Sequence, residues 1–249
     1  MWLKDEKLKL GKLGQIQFKY HRKIPADYKI KSATITQRAS GRFYISIITE
    51  YEAEVPNIVL DRNKALGLDY SSPHFYVDNQ NNEALQEHFF RESETKLAKE
   101  QRKLSLMKYG SNNYYKQKQV VGRIHEHIEN QRKDFIEKKS TELANNYDIV
   151  CVEDINLQNL SRTLRFGKAT MDNGFGLFRV RLEQKLSILG KRFVKIDKWF
   201  PSSKMCRFCG AVNKELDLKD REWDCGCGAH LLRDENAAIN ILNEGLRIL

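Results

Sequence analysis

The sequence predicts an α/β chain: a sheet whose strands end in carboxylates, an inserted helical hairpin, and a small ribbon gathered by four cysteines. Three observations carry that expectation. Ala65-Leu66-Gly67-Leu68-Asp69 and Ile149-Val150-Cys151-Val152-Glu153 are short apolar runs that each finish on an acid. Apolar continuity on both faces marks a strand covered on both sides. Between them, from Glu92 to Asn146, the apolar spacing changes to helical periodicity. Finally, Cys206-x2-Cys209 and Cys225-x-Cys227 pair their thiols at a spacing suited to a single metal ion.

Length and charge frame the reading. At 249 residues the chain can bury a core in one or two domains. Its 43 Lys and Arg against 33 Asp and Glu give a net charge of +10, which favours a polyanionic partner. Four of the five cysteines belong to the ribbon and Cys151 stands alone in an apolar run, an arrangement suited to a reducing compartment. No apolar stretch approaches a membrane span and the N-terminus has no signal-like apolar region. A cytoplasmic protein with no membrane partner is expected.

Residues 1–60 read as β. Gln15 to Tyr20, Ala33 to Thr36 and Arg42 to Ile48 alternate apolar with polar, and Ser40-Gly41 supplies a hairpin turn between the last two. The opening from Leu3 to Leu13 shows no complete element and reads as the middle of a domain. Lys64 to Asp69 and Phe75 to Asp78 follow as strands, the asparagines after Asp78 mark a turn, and a third strand is expected near Ala84 to Phe90.

The helical stretch breaks at Tyr109 to Asn113, so it forms a hairpin. Val121, Ile124, Ile128, Phe135 and Leu143 line its apolar seam. From Lys96 to Lys139 there are twelve Lys or Arg against five acids. A solvated face is one reading of that surplus. Phosphate contact, with Tyr114 and Tyr115 alongside, is the other.

Beyond Asp148 to Asn156, a polar stretch from Leu157 to Ala169 carries Arg162 and Arg165. Gly176 to Leu189 reads as a helix and Lys191 to Asp197 as a strand, and Trp199 to Ser203 leads into the ribbon.

Thiolates so paired select zinc, and glycines beside both pairs, Gly210, Gly226 and Gly228, allow tight turns around the sulfurs. Free cysteine can also be a small buried apolar side chain. Four thiolate ligands leave no open position for water, so such an ion is structural. Chemistry is therefore expected beside it, at Asp234, where a helix with Ala238, Ile241 and Leu242 on one face begins. A helix cap or first-turn acid is the plainer role for that residue.

Asp69, Glu153 and Asp234 lie 84 and 81 residues apart on separate elements. Carboxylates gathered together repel, so a site built from them is stable with divalent cations between them. Two Mg2+ ions so held would suit phosphodiester hydrolysis. Spacing alone does not bring the three together.

Gly67-Leu68-Asp69, Val152-Glu153-Asp154-Ile155-Asn156, Pro201-Ser202-Ser203-Lys204 with Cys206, Cys209 and Gly210, and Arg233-Asp234-x-Asn236-Ala237-Ala238-x-Asn240-Ile241 resemble, in order, the signatures of the TnpB (OrfB) proteins of bacterial insertion sequences. That family is similar to the type V CRISPR effectors. The resemblance runs from about Leu3 to the end, and it implies an RNase H-like (RuvC) nuclease domain with an inserted zinc ribbon, guided to DNA by a transposon-derived RNA. By motif match Asp69, Glu153 and Asp234 are the catalytic ligands of Mg2+ or Mn2+, and Cys206, Cys209, Cys225 and Cys227 the ligands of Zn2+.

The implied domains are a partial wedge-type β-barrel over 1–60, the RuvC-like domain over 61–200 with its hairpin at 92–146, the ribbon over 201–230, and a final helix over 231–249. The chain departs from the family in having Leu231-Leu232 where a polar pair is usual. Family members carry further residues before the matching region, so this chain corresponds to their C-terminal part. An RNA-guided DNA endonuclease is the leading expectation. A nucleic-acid-binding remnant or guided repressor that no longer cuts is the alternative.

Overall fold

The computed structural model describes residues 2–4, 7–11, 13–71, 74–84, 88–155, 174–217 and 219–249. They fall into two compact units, Met1–Glu54 with Thr95–His127, and Val55–Glu94 with Ile128–Leu249. Ser72, Asn156 and the stretch from Leu157 to Ala169, with Arg162 and Arg165, lie outside the described residues.

In the first unit, β1 (Trp2–Lys4), β2 (Lys7–Leu10) and β3 (Gly14–Gln17) form an antiparallel meander. Strand β3 is shorter than the alternation to Tyr20 suggests. The expected hairpin is β4 (Lys29–Gln37) with β5 (Phe43–Glu50). Its turn closes through Arg38 N donating to Arg42 O at 2.9 Å, with Gly41 at φ +84°, where a side chain would strain the backbone. The hairpin packs on the helical insertion at Gly122, where an added Cβ would lie 2.5 Å from the carbonyl carbon of Ala39. Beside that contact the Tyr44 hydroxyl donates to Glu126, and this bond holds the Glu126 carboxyl below the usual range.

Helices α1 (Phe89–Ser105) and α2 (Asn112–Asn146) have residues in both units. Gln117 Nε2 ties them by donating to Glu100 O at 3.0 Å and to its carboxylate at 2.7 Å. The strand expected near Ala84 to Phe90 is corrected by the structure: Glu83 makes only an isolated bridge with Val77, and Phe89 and Phe90 open α1. Burial decides this, because Phe89 is 6% exposed and meets the Phe135 ring at 6.2 Å, a contact on a helical seam.

The second unit is built on a sheet of order β7-β6-β8-β9: β6 (Ala65–Tyr70), β8 (Ile149–Glu153) and β9 (Arg192–Ile196) are parallel, and β7 (Tyr76–Asp78) is an antiparallel edge. Strand pleating sends alternate residues to opposite faces. Leu66, Leu68, Val150 and Val152 pack with Ile136 and Leu143 of α2 and with Phe175, Phe178, Leu182 and Leu186 of α3 (Phe175–Ile188). Ala65, Ile149, Cys151, Val194 and Ile196 face Ile241 of α4 (Arg233–Ile248). Both faces are covered, which explains why these strands read as unbroken apolar runs.

The ribbon adds a hairpin of β10 (Glu222–Asp224) and β11 (His230–Leu232) over its own cluster of Leu216, Trp223 and Leu231. Leu231, one of the two residues that depart from the usual polar pair, is 1% exposed there. None of the described helices is long and apolar enough to cross a membrane.

Candidate functional site

Asp69 and Glu153 are placed by register. Leu68 pairs with Val152 across β6 and β8, so the acids that follow stand side by side at the carboxyl ends of neighbouring parallel strands. Both share the parity of Ala65, Ile149 and Cys151 and so belong to the face covered by α4. That helix reaches the sheet at Gly67, where an added Cβ would lie 2.1 Å from the Ala238 carbonyl oxygen. Asp234 sits one turn earlier, in the first turn of α4. The helix cap is Leu232, in extended backbone, so Asp234 is not the capping residue.

The three acids share one electrostatic neighbourhood around Asp69. Burial, then the charges of Asp234 and Glu153, push the Asp69 carboxyl well above its usual range, with Arg233 opposing. Burial likewise pushes Glu153 up to about 7, against the lowering influence of Arg179. All three side chains are half-buried. Oxygen donors at Asp69 and Glu153, where negative charge is disfavoured, fit a hard divalent cation such as Mg2+ or Mn2+, which relieves the repulsion.

Two arginines that sequence patterns did not single out complete the surroundings. From α3, Arg179 donates to the carbonyls of Glu153 at 2.9 Å and Ile155 at 3.0 Å, and lies 3.6 Å from the Asp154 carboxylate. It thereby fixes the strand end that carries Glu153. Arg221 lies 3.4 Å from the Asp234 carboxylate. Neither belongs to an apolar pattern, and charge alone cannot distinguish them from the many other basic residues.

The asparagines of the last motif have a physical explanation. Asn236 and Asn240, one turn apart, are 0% and 2% exposed. Asn236 Nδ2 donates to Met205 O at 2.8 Å, and Asn240 Nδ2 donates to Ser202 O at 2.8 Å and Met205 O at 2.6 Å. They bind α4 to the chain entering the ribbon. Asn240→Ala is expected to leave the Ser202 carbonyl with only a long contact to Asn236 at 3.5 Å, while Met205 O keeps its bond from Asn236, and to lower stability by about 2 kcal/mol in a thermal or denaturant melt.

The four ribbon sulfurs all lie within 4.8 Å of one another, with Cys206 to Cys227 at 3.8 Å and Cys209 to Cys225 at 3.5 Å. A tetrahedral ion with bonds of about 2.3 Å separates its sulfurs by about 3.8 Å, so the single-residue C-x-C spacing is no obstacle. Tight turns support both pairs: Gly210 N donates to Cys206 O at 2.9 Å and Gly228 N to Cys225 O at 2.8 Å.

Burial pushes the Cys206 thiol up, but the amides of Cys209 and Phe208 outweigh it and bring the thiol to about 7. For Cys225 the amide of Cys227 favours the thiolate, yet burial and the neighbouring thiols win and push it up to about 12. Four thiolates at this separation need a cation among them, and the cluster can hold a metal such as zinc. Cys151 is different: packed against Gly245, it has its thiol pushed up to about 12 by burial and belongs to the core.

Comparison with known proteins places the chain. A family model described as "Probable transposase" (OrfB, IS605) matches residues 48–164, and one described as "Cas12f1-like, TNB domain" matches residues 175–241. Over these spans the chain resembles the TnpB (OrfB) family. It is 32% identical to a "Putative RNA-guided DNA endonuclease" of Streptomyces pristinaespiralis, over 98% of this chain and 60% of that protein. It is 28% identical to InsQ of Escherichia coli K12, which bears the same description, over 98% of this chain and 63% of that protein. The chain thus spans about 60% of the length of these two curated relatives.

Among solved structures its fold resembles a Cas12f1 chain in a complex with sgRNA and target DNA. The TM-score is 0.58 at 18% identity, covering 87% of this chain and 46% of that one. A second Cas12f ternary complex matches with a TM-score of 0.54 at 20% identity, with the same coverage.

Proposed function

We propose that this chain is a TnpB-type, metal-dependent nuclease that hydrolyses DNA phosphodiesters, directed by a guide RNA derived from the transposon end. The observation that supports it is the register that sets Asp69 and Glu153 at neighbouring strand ends on the face covered by α4, whose first turn carries Asp234, with the charges of both other acids bearing on Asp69. On this reading β6, β8 and α4 form an RNase H-like (RuvC) centre, residues 1–60 a partial wedge-type barrel, and the cytoplasm is where it works. RNA guidance rests on the names of the relatives and on the RNA and DNA in the matching complexes.

The chain's own residues divide the work. Asp69, Glu153 and Asp234 would hold Mg2+ or Mn2+, and the raised carboxyls of Asp69 and Glu153 would give up their protons on binding. Arg179 keeps the Glu153 strand end in register through two carbonyls. The chemistry that divalent cations supply at such a site is water activation and neutralisation of the leaving oxygen. Cys206, Cys209, Cys225 and Cys227 hold Zn2+ with no open position, which stiffens the segment that Asn236 and Asn240 fasten to α4.

The test is cleavage of labelled single-stranded and duplex DNA by the purified chain, with Mg2+ or Mn2+ added and co-purifying RNA sequenced. Cleavage is expected to need the added ion and to fall by about a thousandfold or more in Asp69→Ala and Glu153→Gln. Equal cutting without the ion, or by either variant, overturns the reading. A folded chain that binds RNA but cuts nothing would instead be the guided binder.

A further inference from the structure

Arg207 stands inside the first cysteine pair, between Cys206 and Cys209, yet it reaches out of the ribbon. Its amide donates to Asn236 Oδ1 at 3.0 Å and its Nη1 to Glu235 Oε1 at 2.8 Å. These are the two residues that follow Asp234 in α4. The ion pair is largely enclosed, its side chains 21% and 22% exposed, and the Phe208 ring centroid lies 5.0 Å from the guanidinium carbon. A planar guanidinium bonded along one edge and covered on one face keeps one orientation, and truncating either partner of such a pair leaves the other charge unpaired.

The start of α4 depends on this support. Its cap is Leu232, which makes no side-chain bond to the helix, so no capping side chain closes the turn that carries Asp234. That turn is fixed from the ribbon instead: Arg233 N donates to Arg221 O at 2.8 Å, and Arg207 grips Glu235 and Asn236. Of these two ribbon residues, Arg207 is the one within a cysteine pair. The geometry that Cys206 and Cys209 adopt around an ion therefore also sets where the Arg207 backbone stands.

We infer that Arg207 is a positioning residue that couples the two metal sites: with the ribbon closed on zinc, it holds the first turn of α4, and Asp234 with it, where the carboxylates can take up a divalent cation. The inference rests on the proposed nuclease reading and names a residue that governs its cation site. Coupling between binding sites is reciprocal. Mg2+ at the acids must therefore tighten the hold on zinc by the same factor by which zinc tightens the hold on Mg2+.

The test measures zinc retention, separately from cutting. The zinc-loaded chain is titrated with a chromogenic zinc chelator that does not take up Mg2+, in the absence of Mg2+ and at saturating Mg2+. In the parent, Mg2+ is expected to tighten zinc binding about tenfold. In Arg207→Ala and in Glu235→Gln the effect should shrink to within about twofold, and Arg207→Lys, which keeps a charge for Glu235 without the planar fork, should recover part of it. A residue that only stiffened the ribbon would lower zinc affinity equally in both conditions and leave their ratio unchanged. Asp69→Asn should lose the Mg2+ effect with Arg207 intact.

A parent that holds zinc equally with and without Mg2+, while Mn2+ still raises its melting temperature, overturns the inference and leaves the nuclease reading standing. So does a full Mg2+ effect in both Arg207→Ala and Glu235→Gln. A failed nuclease reading looks different: zinc retention in Asp69→Asn would respond to Mg2+ as the parent's does, which removes the cation site and the coupling together.

Discussion

Asp69→Asn is expected to raise the melting temperature of the chain when no divalent cation is added, and to abolish the stabilisation that Mn2+ gives the parent. Burial and the charges of Asp234 and Glu153 all disfavour ionised Asp69, and burial pushes Glu153 from the usual 4.5 up to about 7. A carboxyl whose folded pKa is raised contributes its stability fully below the unfolded pKa and loses it as pH rises through the folded one. Without added cations the parent chain should therefore weaken between about pH 4.5 and pH 7. The loss amounts to roughly 3 kcal/mol for Glu153 alone.

Asparagine keeps the shape of Asp69 and removes both its charge and its repulsion of the other two, so the gain should be largest at pH 8 and small at pH 5. Mn2+ should raise the parent's melting temperature at pH 8 and leave the variant's nearly unchanged. Melts at the two pH values, with and without Mn2+, decide the matter. A variant that melts below the parent at pH 8 and still responds to Mn2+ would show that Asp69 is not part of a cation site.

What the sequence discloses follows from which contacts leave a pattern. β5, β6, β8 and β9 were legible because each is apolar at spacings set by a sheet, and the two helices because Val121, Ile124 and Ile128 repeat at helical intervals. The carboxylates were legible as strand ends, and strand parity with the Leu68 to Val152 register explains why they point together. In the meander only β3 was legible, through the alternation that starts at Gln15, and β1 and β2 were not. Its strands are three or four residues long, and Lys4, Lys7 and Lys9 interrupt any apolar rhythm. The start of α1 was misjudged as strand because Phe89 and Phe90 have high β-propensity, and it is the burial of Phe89 beside Phe135 that favours helix.

Arg179 and Arg221 left no signal because their partners are backbone carbonyls and an acid brought close only by folding. The resemblance supplied the site residues before geometry could. The structure adds why the motif needs two asparagines and two alanines: the asparagines grip Ser202 and Met205, and the alanines, both fully buried, lie where α4 closes on the sheet.

That closeness makes Gly67→Ala the damaging change to expect of a single methyl group. The new Cβ would stand 2.1 Å from the Ala238 carbonyl oxygen, 2.8 Å from Leu242 Cβ and 3.0 Å from Leu242 N. Two of those atoms are helix backbone, which cannot rotate away, and Gly67 is held from its other side by its amide donating to Asn79 Oδ1 at 2.9 Å. Helix α4 would have to lift from β6, opening the cluster around Ile241 and costing about 3 kcal/mol or more in denaturant unfolding. Gly11→Ala, with nothing within 4 Å of its added Cβ, is the matched control and should stay within about 0.5 kcal/mol.

The displacement has a chemical consequence as well. Asp234 is carried on the helix that must move, so the carboxylates would separate, and the melting temperature should lose its response to Mn2+ along with the stability. Asp69→Asn removes the same response while stability rises. The two variants together distinguish a cation site assembled by close packing from one that merely coincides with it, because only the assembled site couples a backbone clash at Gly67 to cation binding one helical turn away.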